Sequence, residues 1–222
     1  MFESVSPAPA DPILGLTEAF KADPNPAKVN LGVGVFQDEE GRTPVLPSVK
    51  AAETAVIGAE ATKNYLPIAG DPEYARLVED LFFEGGAADA RARMRTAYAP
   101  GGTGALRIGA DFMAEASGRA ARAWISQPSW PNHKGIFAAA GLAVSEYPYY
   151  DPATRGAAEG RMLEALAAAR AGDVVVLHLG CHNPTGADLD AARWKTLADM
   201  AAKGGWIPFV DAAYVGFGDG LA

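Results

Sequence analysis

Apolar residues repeat along this chain in two rhythms. Short runs rich in β-branched, aliphatic and aromatic residues stand at Ala123–Gln127, Leu142–Tyr147, Val174–His178 and Trp206–Val210, and runs of that length bounded by turn formers predict buried strands. Between them the repeat changes to three and four. Met162, Leu163, Leu166 and Ala167 share one helical face. Leu189, Ala192, Thr196/Leu197 and Met200 share another, in a helix predicted over Asp188–Lys203 and stopped by Gly204-Gly205. Ala105, Ile108, Gly109, Phe112 and Met113 mark a helix after Pro100, and Lys134–Ala140 is one more, stopped by Gly141. From residue 100 onward the order is α-β-α-β-α-β-α-β, which predicts an α/β domain with a mainly parallel sheet. Its last unit, Val174 to Asp211, is a βαβ crossover of the usual right hand.

Upstream, Tyr74, Leu77, Val78, Leu81 and Phe82 recur at i, i+3, i+4, i+7 and i+8 behind Asp71-Pro72, an N-cap and first helical residue, with Gly85-Gly86 as the stop. Pro47–Ala61 reads as a helix and Asn64–Gly70 as a loop. Residues 1–13, with Pro7, Pro9 and Pro12, read as an extended arm that lies on a partner surface or frays; Asp11-Pro12 opens a helix through Phe20. Val29–Phe36 alternates glycine with apolar residues in a β-like run. That pattern fits close backbone approach by a ligand or another chain, and equally a tight turn or bulge.

Ligands of parallel α/β sheets sit beyond the carboxyl ends of the strands. Asn183 and Asp211 fall just past two such ends and are predicted to face one crevice, where an amide beside a carboxylate suits a ligand with a polar rim and a positive ring nitrogen. The plainer alternative is that Asn183 builds the turn and Asp211 caps a loop. Gly101-Gly102-Thr103-Gly104 opens a helix; its unobstructed amides, the helix dipole and the Thr103 hydroxyl suit a phosphate, although neither the P-loop nor the Rossmann glycine pattern is present. Trp130, held between Pro128 and Pro131 at a strand end, offers an aromatic face for a planar ligand, or fills core. His133 stands as a helix-start hydrogen-bonding residue or as a relay to an acidic group. A zinc site on His178, Cys181 and His182 is disfavoured, since extended backbone would separate the two histidines by roughly 13 Å.

Composition narrows the classes. The chain has 222 residues, 49% of them hydrophobic, enough for a packed core in one domain or one large domain with a partial second. The net charge of −8 with no basic run argues against nucleic acid. No apolar run approaches a membrane span, and the Met1-Phe2-Glu3-Ser4 start lacks the features of a signal peptide. A single cysteine, Cys181, fits a reducing, cytoplasmic setting.

Six segments together carry a resemblance: Asn30-Leu31-Gly32-Val33-Gly34-Val35, Lys63-Asn64-Tyr65, Pro100 to Leu106, Pro128 to His133, Cys181 to Gly186, and Asp211-Ala212-Ala213-Tyr214. The chain resembles the first half of a fold-type I pyridoxal-phosphate aminotransferase of the aspartate and aromatic amino-acid subgroup. That resemblance implies a three-layer α/β fold, with an arm and small-domain segment over residues 1–45 and a partial cofactor-binding large domain over 46–222. It implies pyridoxal phosphate, an L-amino acid (aspartate, or an aromatic one) with 2-oxoglutarate as substrates, and a homodimer. It assigns Gly102 and Thr103 to the cofactor phosphate and Trp130 to the ring face. Asp211 falls to the ring nitrogen, with His133 behind it, and Asn183 and Tyr214 to the phenolic oxygen. Gly34, Trp130 and Asn183 fall near the substrate, and Tyr65 to the phosphate of the neighbouring subunit. Phe36 and Val215 depart from the tyrosine and glutamine common in the family. The seven lysines all lie upstream of Asp211, and no Ser-x-Ser-Lys segment follows it. The resemblance therefore implies a chain truncated before the Schiff-base lysine and inactive alone. The rival readings are a non-catalytic ligand-binding or subunit-interaction fragment, and another fold-type I enzyme such as a decarboxylase.

Overall fold

The computed structural model describes residues 12–30, 32, 34–35, 37–83, 88–117, 121–218 and 220. The expected arm through residue 11, Leu31, Val33 and Phe36 of the β-like run, and the Gly85-Gly86 stop lie outside the described residues. The chain divides into two compact units, Met1–Asn64 and Tyr65–Ala222, where the resemblance implies a division after residue 45.

The first unit holds α1 (Pro12–Ala22) and α2 (Pro47–Ala59). Lys28 closes α1: its ammonium donates to the carbonyls of Phe20 (2.6 Å) and Asp23 (2.7 Å), satisfying acceptors that a helix end leaves free. The run from Val29 is not a strand among its described residues. Asn30 Oδ1 accepts from the Gly32 amide at 2.9 Å, and this side-chain turn bends the backbone away from strand geometry.

The second unit begins with α3 (Pro72–Phe83) and a short α4 (Ala88–Ala92). Asp71 caps α3 as expected, accepting from the Glu73 amide at 2.7 Å. Its apolar stripe is not buried: Leu77, Leu81 and Phe82 stay exposed. Then follow α5 (Gly101–Ser117), β1 (Arg122–Gln127), α6 (Pro131–Ala139), β2 (Ala143–Pro148), a hairpin of β3 (Tyr150–Asp151) and β4 (Gly156–Ala157), α7 (Glu159–Leu166), β5 (Val174–His178), α8 (Ala191–Gly204) and β6 (Ile207–Asp211). Apart from the hairpin, this is the order the hydrophobic pattern predicts. Four strands pair in the order β2-β1-β5-β6, every neighbour parallel, and the β3–β4 pair is antiparallel.

Strand β5 is buried along its length and serves both faces of the sheet. Val174 and Val176 pack with Leu106, Ala110 and Ala114 of α5 and Ile136 and Phe137 of α6, while Val175 and Leu177 pack with Met162 and Leu166 of α7 and Leu197 and Ala201 of α8. Side-chain alternation thus yields two cores and three layers. The face of α5 differs from the predicted one. Leu106, Ala110 and Ala114 are buried, whereas Ile108 and Phe112 are exposed. The reason lies at Gly109, where a Cβ would come within 2.7 Å of the Phe209 ring of β6: α5 lies so close to the sheet that small residues face it. In α8, Asp190 rather than Asp188 caps the helix, accepting from the Arg193 amide at 2.7 Å, and Gly205 ends it in the left-handed region at φ 72°.

Asp173, just before β5, joins three segments at the amino end of the sheet. Its carboxylate accepts from the Arg122 amide, the Trp124 indole and the Arg170 amide, each at 3.0 Å. Burial pushes this carboxyl up, but those hydrogen bonds and the Arg122 charge outweigh it and hold the group below its ordinary value. A depressed folded-state value stabilises the fold above the unfolded value of about 3.9, and that stability is lost as pH falls through the lower folded value. Urea unfolding below about pH 4 is therefore expected to show an acid-dependent loss that Asp173→Asn flattens. At Gly109, substitution by alanine is expected to destabilise the fold by about 1–3 kcal/mol through overpacking on Phe209, measured by the same unfolding curves.

Candidate functional site

The parallel register places Asp211 of β6 beside His178 of β5 at the carboxyl end of the sheet. Both are the last residues of their strands, and the same alternation that sends Val174 and Val176 towards α5 and α6 sends them to that side. There a cavity of about 500 Å³ opens, lined by Gly102, Thr103 and Leu106 of α5, Trp130, His178, Asn183, Phe209, Asp211 and Tyr214 among others. Trp130, Asp211 and Gly102 thus face one cavity, and six of the sequence-nominated residues (Gly102, Thr103, Trp130, Asn183, Asp211 and Tyr214) line it together.

The remaining nominations fall elsewhere. His133 does not line the cavity; it is fully buried and bonds Asp211 from behind. Tyr65 is fully exposed and outside the lining. Its loop is held in place, because the Tyr98 amide donates to the Ala69 carbonyl at 2.8 Å and Gly70 sits on the Tyr98 side chain, which a Cβ at φ 94° would strike. Gly34 belongs to the first unit, while the described residues that line the cavity belong to the second.

The start of α5 points at the cavity with little in the way. Gly101 takes φ 67°, and a Cβ on Gly102 would meet nothing within 4 Å. The first-turn amides of a 17-residue helix converge there, a place suited to an anion. Asp211 belongs to the same lining. Its Oδ2 accepts from His133 Nε2 at 2.9 Å and its Oδ1 from the Ala213 amide at 3.1 Å. Burial pushes the carboxyl up, but the hydrogen bonds from His133 and the Ala213 amide outweigh it, so the group lies below its ordinary value and is an anion at neutral pH.

Behind Asp211 the polar groups form a directed chain. An ionised carboxylate only accepts, so His133 donates from Nε2; its Nδ1, 2.8 Å from Ser129 Oγ, then accepts from that hydroxyl. Ser129 Oγ in turn accepts from His178 Nε2 at 3.3 Å, and His178 Nδ1 accepts from the Asn183 amide at 3.4 Å. Every link then has one donor and one acceptor. The chain therefore runs from the Asn183 backbone to Asp211. Ser129 and His178 were not singled out for this role from sequence. The available signal was His178 as the last residue of its β-run, level with Asp211 once the two strands are paired.

The third histidine packs on Tyr149, a member of the core on the α7 and α8 side. His182 is buried, stacked on the Tyr149 ring at 3.8 Å, with Nε2 3.0 Å from Ser126 Oγ and Nδ1 2.8 Å from Thr185 Oγ1. The extended-chain separation used against a zinc site does not hold, because the turn at Gly180-Cys181 folds back and brings the His178 and His182 rings to 4.2 Å. What speaks against a metal here is that both ring nitrogens of His182 are already bonded to hydroxyls. Among the described residues no group of three or more histidine, cysteine or acidic side chains is arranged to hold a metal ion.

The model of the family described as "Aminotransferase class I and II" matches residues 26–222. An aspartate aminotransferase of Salmonella typhi is 53% identical over all of this chain and 56% of its own length. A cytoplasmic aspartate aminotransferase of Dictyostelium discoideum is 43% identical over 99% of this chain and 50% of its own. Among solved structures, an aromatic-amino-acid aminotransferase from Burkholderia pseudomallei, covalently bound to pyridoxal phosphate, superimposes with a TM-score of 0.92 at 46% identity, covering all of this chain and 55% of that one. The chain spans about half the length of the relatives it matches.

Burial lowers the His178 imidazole to about 4, helped by His133, and the His182 imidazole to about 3, helped by His178. Both rings are thus neutral at physiological pH. A histidine whose folded value lies below the unfolded 6.5 destabilises the fold on acidification: the unfolded chain gains protons that the folded one refuses. Stability is expected to fall as pH drops from about 6.5 towards 4, and His182→Gln to reduce that slope, measured as unfolding midpoint against pH. Imidazole nitrogen shifts of His178 that titrate near 6.5 in the folded protein would contradict this assignment.

Proposed function

The chain belongs to the class I and II aminotransferase family, and from that premise we propose that it carries the greater part of a pyridoxal-phosphate site. Its parent protein would move an amino group between an L-amino acid and 2-oxoglutarate. The observation that carries the reading is the single cavity walled by a carboxylate, an indole and a helix N-terminus. Its volume of about 500 Å³ lies in the range of small-molecule sites.

The donor set suits the group. The open amides at Gly102 and the Thr103 hydroxyl would hold the phosphate. Trp130 would lie against the ring face. Asp211, kept anionic by His133, would pair with the ring nitrogen and hold a proton on it, and Asn183 and Tyr214 would donate to the phenolic oxygen. Bound there, pyridoxal phosphate supplies an electron sink for the negative charge that develops at the substrate Cα when its proton leaves. Asp211 sustains that sink only while ionised, so the directed chain behind it has a functional meaning: it presents a donor, never an acceptor, to the carboxylate. Trp130 and Asn183 would also border the amino-acid substrate. An aspartate aminotransferase and an aromatic one among the relatives support aspartate first and aromatic amino acids second as the amino donor.

The exposed, anchored Tyr65 supports a homodimer in which this tyrosine reaches the cofactor phosphate of a second copy. The cytoplasmic Dictyostelium relative and the single cysteine support a cytoplasmic enzyme. Among the described residues no helix is long and apolar enough to cross a membrane.

None of the described residues lining the cavity is a lysine. Residues 1–222 alone are accordingly expected to bind pyridoxal phosphate without a covalent link and to turn over no aspartate. Borohydride reduction should leave no stoichiometric adduct on a single lysine of this chain, whereas a protein of the relatives' full length should give one. Turnover by the isolated 222 residues would defeat the proposal of an inactive portion. Absence of cofactor binding by the full-length protein would favour a non-catalytic interaction module. In that full-length protein, Asp211→Ala is expected to lower kcat by roughly 10²-fold or more, the scale for losing a charge aimed at the reacting system. His133→Ala should lower it less and move the acid limb of the kcat profile upward, as Asp211 loses the bond that lowers it.

A further inference from the structure

We propose that Asp188 is a positioning residue: its carboxylate holds the turn Gly180–Gly186 in the conformation that delivers Asn183 to the cavity. The consequence for the cofactor rests on the reading of the cavity given above; the geometry stands by itself. Asp188 precedes α8 but does not cap it, since Asp190 does. Instead it reaches back into the turn. Its Oδ2 accepts from the Cys181 amide at 2.7 Å and its Oδ1 from the His182 amide at 2.8 Å. Two successive amides point at one carboxylate only if the backbone curls around it, and it does: Gly180 takes φ 75° and Cys181 φ 50°. The left-handed region is unfavourable for a cysteine. Charge-assisted bonds to both carboxylate oxygens offset that strain.

The curl sorts the residues that follow. His182 goes into the interior, between Ser126, Thr185 and the Tyr149 ring. Asn183 goes to the cavity, its amide directed at His178. The same turn is the bed for the segment after β6. A Cβ on Gly180 would lie 3.7 Å from the Tyr214 carbonyl, and one on Gly218 would lie 3.6 Å from Cys181 Sγ and 3.8 Å from Asp188 Oδ2. Both partners assigned to the phenolic oxygen, Asn183 and Tyr214, thus depend on one carboxylate that touches neither cofactor nor substrate.

The test uses the full-length protein with Asp188→Ala, Asp188→Asn, Asn183→Ala and the Asp188→Ala/Asn183→Ala double variant. In the cofactor-free protein, hydrogen exchange at the Cys181 and His182 amides should quicken about tenfold or more in Asp188→Ala, as for loss of a hydrogen bond to a charged group. It should quicken less in Asp188→Asn, which keeps one acceptor, and stay unchanged in Asn183→Ala. Unchanged exchange in Asp188→Ala overturns the proposal, and if that variant does not fold, unchanged exchange in Asp188→Asn does so. With pyridoxal phosphate bound, the pH midpoint of its visible absorbance should move in the same direction in Asp188→Ala as in Asn183→Ala, and the double variant should move no further than Asn183→Ala alone. A wild-type midpoint in Asp188→Ala, or an additive double shift, overturns it. If the unsubstituted protein shows no titrating band, or Asn183→Ala leaves the band unmoved, the cofactor reading fails instead, and the exchange rates still decide whether Asp188 holds the turn.

Discussion

The hydrogen bond between His133 Nε2 and Asp211 Oδ2, 2.9 Å long, ties the start of α6 to the last residue of the edge strand β6. It carries more than local stability. A carboxylate placed among apolar neighbours tends to take up a proton, and only donors aimed at its oxygens keep it charged. His133 is one such donor, and its direction is enforced by Ser129, His178 and the Asn183 amide in turn. The site is therefore a one-way polar chain ending on an anion, and residues that never meet a ligand set the charge of the one that would.

That chain exists because of how the strands pair. The β5–β6 register sets His178 opposite Asp211, and the alternation of β5 turns His178 to the side where α5 and α6 begin. The close approach of α5 follows from Gly109 against Phe209. It carries the amides at Gly102 to the cavity mouth while Leu106 closes the wall. Sheet register, helix approach and the turn held by Asp188 are separate packing facts. Each places one group, and the cavity needs all of them at once.

Burial gives the two histidines that flank the turn the same electrostatic state. His178 and His182 sit with rings 4.2 Å apart, yet His178 lines the cavity and His182 stacks on Tyr149, a member of the core on the α7 and α8 side. Burial keeps both neutral, which is compatible with their roles: a charged His178 would have to donate from both nitrogens and would lose its link to the Asn183 amide, which can only donate. The predicted acid sensitivity and the site's geometry are thus two consequences of one burial pattern.

Much of this was legible in the residues. Periodicity located all four strands of the main sheet, since β-branched runs between glycines admit few other structures, and the βαβ logic put Asn183 and Asp211 past strand ends on one crevice. The motifs at Gly102, Trp130 and Asp211 were nominated separately, and they share a cavity. Ser129 and His178 were not foreseen as links, because a hydrogen-bond chain between residues far apart in sequence depends on register and on helix approach, which local pattern does not encode. The buried face of α5 was misread for a related reason: Ile108 and Phe112 are apolar, but a glycine pressed against Phe209 decides which side can meet the sheet. The two-histidine separation failed because the left-handed backbone at Cys181 reverses the chain, and a carboxylate seven residues later sustains that reversal. Local sequence determined which elements form and which chemical groups end them; only tertiary packing decided which of those groups touch, because contact is set by distances across the sheet and not along the chain.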